Sequence, residues 1–346
     1  MGTMTFGTGW GWGADADEAR RIFDIYVERG GNVIDTAVNY TDGESEQMTG
    51  RLIAPHRDRL VVSTKYTMSR HPGDPNAGGN HRLNMIRSVE ASLRQLNTDR
   101  IDLLYVHAWD YTTSPEEVMR GLDDLVRAGK VVYVGISDTP AWRVAQMQTL
   151  ALLRGWAPLV ALQIEYSLVQ RSVEHELIPM ASALGLGVMP WSPLGGGVLT
   201  GKYTPADLAE PATNTATGSR AAVIASSGNM TQRALDIARV VKEVAEDVGC
   251  TPAQAALAWV LQRPGVSSAI IGARTVNQAV QNLQALDITL SESHMTRIDA
   301  ASDPGTIFPH GFLQRPMSRQ LIFGGTTIDT TRPQPPTPFD TAAAPN

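Results

Sequence analysis

With one cysteine, Cys250, in 346 residues, the chain can form no intrachain disulfide and no cysteine-based zinc site. An excess of basic charge is also missing: 29 basic residues stand against 35 acidic ones, for a net charge of −6. No basic run or patch breaks that balance, so a nucleic-acid partner is not expected. The histidines show no helical metal-ligand spacing, and no metal site is expected either. No apolar run approaches the roughly 18 residues of a membrane helix. The first residues also lack the charged-then-apolar order of an export signal. The expectation is a cytoplasmic protein with no membrane contact.

What the chain does have is alternation. Short apolar runs at 33–34, 60–62, 101–106, 131–136, 159–162, 186–189 and 268–271 are separated by segments of helical period. The helical segments are expected near 17–29, 44–54, 83–96, 115–128, 140–154, 172–184, 231–248 and 275–286. Over 231–248 an apolar face recurs at Ala234, Ile237, Ala238, Val241, Val244, Ala245 and Val248, and Gly249 stops it. Thr251-Pro252-Ala253-Gln254 then reads as an N-cap, a proline at the first helical position and a capping-box glutamine.

Continuously apolar strands alternating with helices mean a parallel sheet covered by helices. Seven such units, plus a first strand at 2–6, favour a closed (β/α)8 TIM barrel over an open doubly wound sheet. The reading is one α/β domain over 1–302, with long loops at its C-terminal face, and a C-terminal loop and tail over 303–346. Irregular stretches are expected at 70–80, 200–230 and 303–346, the first as a lid over a site.

Three motifs mislead. Gly196 to Lys202 has P-loop spacing, but Tyr203 replaces the hydroxyl residue that would hold magnesium. Gly9-Trp10-Gly11-Trp12-Gly13-Ala14 mimics a dinucleotide fingerprint, yet its two tryptophans would obstruct a close approach to pyrophosphate. No tyrosine has a lysine four residues later, so a short-chain dehydrogenase pair is absent.

The chemistry is read at the strand ends, where polar residues of a TIM barrel converge. Asp35 ends one strand with Tyr40 shortly after it, Lys65 ends the next and His107 follows the third. These strands are neighbours, so the four side chains are expected within hydrogen-bond reach. A carbonyl receiving hydride gathers negative charge on oxygen and needs a proton donor. A free phenol, with pKa near 10, is a feeble acid at neutral pH, and a lysine cation beside it favours phenolate and lowers that pKa. Asp35 would hold the lysine, and His107 would donate a hydrogen bond to the substrate oxygen. Taken singly, each residue reads as a surface cation, a structural histidine or a turn cap. Four together on three consecutive strands read as a site.

A phosphate side is expected where loops follow the last two strands, at a helix N-terminus whose free amides favour anions. Arg274 stands just before Thr275, the expected cap, and its guanidinium suits bidentate phosphate contact, while Lys202 and Arg220 add cations on the preceding loop.

These residues resemble the aldo-keto reductase superfamily, over nearly the whole chain to about residue 290. The matching pieces are Gly2-Thr3-Met4, Asp35-Thr36-Ala37 with Tyr40, Gly43-Glu44-Ser45-Glu46, Ser63-Thr64-Lys65, Tyr105-Val106-His107, Val134-Gly135-Ile136-Ser137, Gln163-Ile164-Glu165-Tyr166, Trp191-Ser192-Pro193-Leu194 and Gly272-Ala273-Arg274-Thr275. The wording is closest to the bacterial and potassium-channel-β-subunit-like branch.

The resemblance implies an NADPH-dependent oxidoreductase that reduces a small-molecule aldehyde or ketone, with Tyr40 as general acid supported by Asp35, Lys65 and His107. It implies that Ser137, Asp138 and Gln163 hold the nicotinamide carboxamide, with the Trp191 ring stacked on the nicotinamide. Ser192, Leu194, Gly195, Lys202 and Arg220 would line the pyrophosphate. Gly272, Arg274, Gln278, Gln281 and Asn282 would hold the adenosine end, with Arg274 favouring the 2′-phosphate. Gly2, Thr3, Met4 and Asp35 complete the implied cofactor contacts, and Tyr66 and Trp109 would shape the substrate pocket.

Two departures stand out. Family members usually carry a hairpin plug and most of the first strand ahead of Gly-Thr-Met, so a short first strand and an open barrel floor are expected. Asp138 stands where asparagine is commonest, and a carboxylate cannot donate to a carboxamide oxygen. Rival functions are an enone or keto-sugar reductase in a biosynthetic pathway, and a cofactor-binding regulatory subunit with weak catalysis.

Overall fold

The computed structural model describes residues 1–209 and 228–326. Helices and strands alternate from the start: α1 (Ala16–Glu28), β1 (Val33–Asp35), α2 (Glu44–Ile53), β2 (Val61–Tyr66), α3 (Arg82–Leu96), β3 (Ile101–Val106), α4 (Pro115–Arg127), β4 (Val131–Ser137), α5 (Ala141–Arg154), β5 (Leu159–Glu165), α6 (Leu177–Ala183) and β6 (Gly187–Trp191). There follow α7 (Pro205–Ala209), α8 (Gln232–Val248), α9 (Pro252–Leu261), α10 (Val276–Leu283), α11 (Glu292–Ser302), α12 (His310–Leu313) and α13 (Pro316–Phe323). No helix of the described residues is long and apolar enough to cross a membrane.

Local chemistry accounts for most boundaries. Asp15, Ser114, Thr231, Thr275 and Ser291 each cap a helix by accepting a backbone N–H with the side chain. The capping box of Thr251 and Gln254 is present as expected. Helix α8 buries the face read from its period and stops at Gly249, whose φ of 77° suits glycine.

The expected helix over 172–184 is instead a short 3-10 turn, Ser172–Glu174, followed by α6. Pro179 would fall in the interior of the longer helix, where it lacks an N–H and clashes with the preceding turn. The segment 275–286 is helical to Leu283 and then tightens to 3-10. Helix α11 has no counterpart in the sequence reading, because it buries only Ile298 and Ser302 and shows no apolar stripe. Residues 303–326 carry α12 and α13 and are not irregular throughout.

The six strands form one parallel sheet in the order β1-β2-β3-β4-β5-β6. The expected first and last strands carry only isolated bridges, Gly2 to Asp35 and Val188 to Val266. Pro190 in β6 has no N–H to give a longer ladder. Backbone hydrogen bonds nevertheless continue across both edges. Ile270 donates to Pro190, Gly2 to Ile271 and Thr3 to Asp35, each at 2.8 Å.

The two-residue period of each strand sorts its side chains. Ile34 and Val62 face α1 and α2, and Leu104, Val106, Leu162 and Ile164 face the larger helical layer. The alternate residues Leu103, Tyr105, Ala161 and Met189 pack together on the opposite, inner face. Gly135 makes room there, since a Cβ would sit 2.5 Å from the Tyr105 ring. Asp35, Ser63, Lys65 and Gln163 fall in this inner period and are buried, a polar column above the apolar one.

Candidate active site

Lys65 is 1% exposed, and its ammonium spends all three protons on neighbours. It donates to Asp35 Oδ2 at 2.6 Å, to the Thr36 carbonyl at 2.7 Å and to the Tyr40 hydroxyl oxygen at 3.2 Å. Asp35 Oδ1 accepts from Ser63 Oγ at 2.8 Å and from Gln163 Nε2 at 3.0 Å. Since Lys65 donates to the Tyr40 oxygen, the phenol's own proton is left to point away from it.

Tyr40 sits outside any strand, in a tight turn whose Thr41 and Asp42 have φ of 49° and 55°, followed by Gly43 at 93°. Such left-handed residues cost energy and collect at functional sites. Thr41 Oγ1 fastens this turn by donating to the Phe6 carbonyl at 3.0 Å. The half-buried Tyr40 ring lies 5.9 Å from the His107 ring and 6.5 Å from the Trp10 indole, edge-on to both. Lys65 joins Asp35 and Tyr40 by hydrogen bonds, whereas His107 meets Tyr40 only as an edge-on ring.

Electrostatics corrects one part of the sequence reading. Burial pushes the Tyr40 hydroxyl above its ordinary value and outweighs the lowering by Lys65, with Asp35 and Asp138 adding to the rise. The phenol is thus held protonated. Burial alone would push Lys65 down, but the Asp35 carboxylate and Tyr40 beside it hold it above the usual lysine range. Burial, with Lys65 second, lowers His107 to about 3, so its imidazole is neutral. Its Nδ1 is buried without a hydrogen-bond partner.

A testable consequence follows from His107. An unfolded chain binds a proton near pH 6.5 that the folded His107 takes up only near 3. Stability is therefore complete above pH 6.5 and falls as the pH drops through this window. The expected loss is about 1–2 kcal/mol by pH 5. His107→Gln should flatten that part of the pH dependence of the urea midpoint. An unchanged slope would remove His107 as its source.

The resemblance-implied cofactor contacts lie mostly around the same strand ends. Ser137 ends β4 with its Oγ buried and unpartnered. Asp138 follows at φ 35° and accepts the Trp191 indole N–H at 3.0 Å. Asp138 is open to solvent on one side but crowded by protein on the others, and this crowding, with Glu165 adding, pushes its carboxyl up to about 6. Ser192, also left-handed at φ 51°, accepts the Gly196 amide at 3.0 Å. Leu194 leads into Gly195, Gly196 and Gly197, all at positive φ, where a Cβ on Gly195 would strike Val169 at 2.7 Å. The Lys202 ammonium folds back to 3.6 Å from the position of a Gly197 Cβ. Arg220 lies outside the described residues.

At the start of α10, the Arg274 guanidinium has no carboxylate partner among the described residues. Gln278 Oε1 accepts the Arg274 amide at 2.9 Å, Asn282 Nδ2 donates to the Gly272 carbonyl at 3.3 Å, and Gln281 is exposed. One α10 amide, that of Val276, is already taken by the Glu18 carboxylate at 2.7 Å, a contact the sequence does not suggest. Gly2 and Thr3 are buried, with the Thr3 hydroxyl 2.9 Å from that of Ser45, and Met4 is half-buried.

Two expected pocket residues lie elsewhere. Tyr66 follows Lys65 and so points to the opposite face, into the helical core, where its hydroxyl donates to the Asn80 carbonyl. Trp109 is 6% exposed in the same core, beneath the Arg143 guanidinium at 5.0 Å. Trp10, which was not expected at the site, stands against Tyr40.

The donor set fits a dinucleotide. There is an unpartnered buried hydroxyl at Ser137, a glycine turn with a lysine folded over it, and beside a helix start an arginine that has no carboxylate partner among the described residues. The model of the aldo/keto reductase family matches residues 1–303. Norsolorinic acid reductase of Aspergillus flavus is 36% identical over 323 residues, covering 90% of this chain and 79% of that protein. A probable aryl-alcohol dehydrogenase of Saccharomyces cerevisiae is 34% identical over 306 residues, covering 86% of this chain and 91% of its own. The NADP(+) aryl-alcohol dehydrogenase of Phanerodontia chrysosporium is 34% identical over 310 residues, covering 85% and 80%.

Proposed function

The chain belongs to the aldo/keto reductase family and is an oxidoreductase, and on that premise we propose that it reduces an aryl aldehyde or ketone with NADPH, using Tyr40 as the acid. The observation that carries this reading is the buried Lys65 ammonium, shared between Asp35 and the Tyr40 oxygen at the strand ends. The aryl class and the NADP preference draw on the names of the fungal relatives. Family membership also supports an eight-stranded barrel, completed by residues 2–3 and 266–271, within one domain over 1–302. Residues 303–326 then lie beyond the barrel domain, and the rest of the expected tail, 327–346, falls outside the described residues.

Bound NADPH would supply a hydride to the carbonyl carbon. As negative charge gathers on the carbonyl oxygen, Tyr40 gives up its proton to it. Lys65, already 3.2 Å from the phenol oxygen, neutralises the phenolate that forms. Asp35 keeps Lys65 charged and in place. His107, being neutral, retains one N–H, which would donate to the same substrate oxygen and orient it.

The carboxamide would be held by Ser137 and Gln163, whose amide nitrogen is committed to Asp35 and whose oxygen is left to accept. Asp138 contributes by fixing the Trp191 indole against which the nicotinamide stacks. The pyrophosphate would lie on Ser192, Leu194, the Gly195 turn and Lys202, with Arg220. The adenosine end would lie on Gly272, Arg274, Gln278, Gln281 and Asn282. The direct test is carbonyl-dependent oxidation of NADPH over a panel of aryl and alkyl aldehydes, followed by absorbance. No turnover with any of them would overturn the reading.

Cofactor choice gives a separable prediction. Arg274 is expected to contact the 2′-phosphate, a charge-assisted interaction of about 1.5–3 kcal/mol. That is roughly 10- to 150-fold in affinity. Arg274→Ala should weaken NADPH by that factor and leave NADH almost unchanged, read as paired dissociation constants by fluorescence titration. Equal weakening of both cofactors would show that Arg274 is not the 2′-phosphate ligand.

A further inference from the structure

Between β-bridge residues Phe6 and Ala14 the chain makes a short loop, the same Gly-Trp-Gly-Trp-Gly stretch that mimics a nucleotide fingerprint. It holds no nucleotide-binding helix turn. It is instead fastened at several points. The Thr8 and Gly9 amides both donate to Glu44 Oε2, at 3.1 and 3.2 Å. Gly7 donates to the Ala14 carbonyl at 2.9 Å and Ala14 to Thr5 at 2.7 Å. The two limbs touch so closely that a Cβ on Gly13 would lie 2.2 Å from the Gly7 oxygen, and one on Gly7 would lie 2.6 Å from Glu44 Oε2. Glu44 opens α2 directly behind the Tyr40 turn, so loop and acid share one anchor.

The loop carries two half-buried indoles. Trp10 stands 6.5 Å from the Tyr40 ring and Trp12 a further 5.9 Å from Trp10. With His107 on the other side of Tyr40, the acid is bordered by rings. The half-exposed Trp10 indole leaves apolar surface beside Tyr40 that a flat apolar partner would cover.

We propose that Trp10 is the specificity-determining residue of the pocket, an indole wall that Glu44 positions beside Tyr40 to stack a planar aryl carbonyl substrate. The proposal rests on the reading of Tyr40 as the acid. An aryl ring conjugated to the carbonyl is flat and polarisable, and it gains offset or edge contacts with an indole that an alkyl chain does not. Trp12 extends the same wall outward, so a fused ring system covers more of it than a single ring. Glu44 is a positioning residue: it touches the loop backbone and not the substrate.

The test compares 2-naphthaldehyde with propanal in wild type, Trp10→Ala, Trp10→Phe, Glu44→Ala and Glu44→Gln. The ratio of kcat/KM for 2-naphthaldehyde over propanal is expected to fall about 10-fold in Trp10→Ala and to return most of the way in Trp10→Phe. In Glu44→Ala the same ratio should fall mainly through KM for 2-naphthaldehyde. Glu44→Gln, which keeps an acceptor for the two amides, should restore it.

Binding of 2-naphthaldehyde to the protein with NADP+, followed by calorimetry, runs alongside and needs no turnover. Wild type without turnover of either aldehyde would sink the reading of Tyr40, while the calorimetry would still decide for or against Trp10. Unaltered binding and an unaltered ratio in Trp10→Ala, or equal losses for both aldehydes, would overturn the proposal.

Discussion

Replacing Tyr40 with phenylalanine is expected to lower kcat by about 10²–10⁴, while the dissociation constant for NADPH stays at its wild-type value. The ring remains, and with it the contacts to Trp10 and His107. Only the hydroxyl is lost, and with it the proton that the carbonyl oxygen must receive. The phenol is the one group of the tetrad placed to give it, because all three Lys65 protons have acceptors and His107 is neutral. Lys65 then has one N–H facing a half-open site, where water can accept it, so folding should be little affected. Single-turnover rates and cofactor fluorescence separate the two effects. A variant that turns over like wild type would take Tyr40 out of the mechanism.

Lys65→Met should cost stability as well as activity. The Asp35 carboxylate is only 4% exposed and loses its cation, keeping just the Ser63 hydroxyl and the Gln163 amide. Stranding one member of a buried pair typically costs about 3–5 kcal/mol, a large share of the roughly 5–15 kcal/mol by which domains are stable. The double variant Lys65→Met/Asp35→Leu removes the stranded charge and should recover much of the stability, yet none of the turnover. Urea midpoints at constant slope measure the first quantity and steady-state rates the second. A loss under about 1 kcal/mol in the single variant would mean that Asp35 is better solvated than its burial implies.

Asp35, Lys65 and His107 were legible because they stand at or just after strand ends, and strands announce themselves by apolar runs of the right length. Asp35, Lys65 and Gln163 fall in one period of the sheet, and the same arithmetic places Tyr66 on the other face. That exclusion is already contained in the sequence. Other features left no such trace. Trp10 reaches Tyr40 through a loop path set by Glu44 and by glycine contacts, none of which has a period. Helix α11 buries too narrow a face to register. The direction of the Tyr40 shift is hidden from the sequence for a different reason: a charge beside a phenol follows from residue types, but the burial that outweighs it is a property of the packed site. The segments expected as edge strands, 2–6 and 268–271, form no ladder; isolated bridges stand at Gly2 and Val266, with single backbone hydrogen bonds beside them.

The polar column and the walls around it come from different parts of the chain. Asp35, Lys65 and Gln163 are rooted in strands, whereas the indole-bearing loop hangs from connections between elements. Changes in those connections leave strand register untouched, because no ladder runs through them. Substrate preference can therefore drift while Asp35, Lys65 and Gln163 are inherited intact, and a graft of this loop between relatives that keeps Phe6, to which the Tyr40 turn is fastened, would transfer selectivity without rebuilding the chemistry.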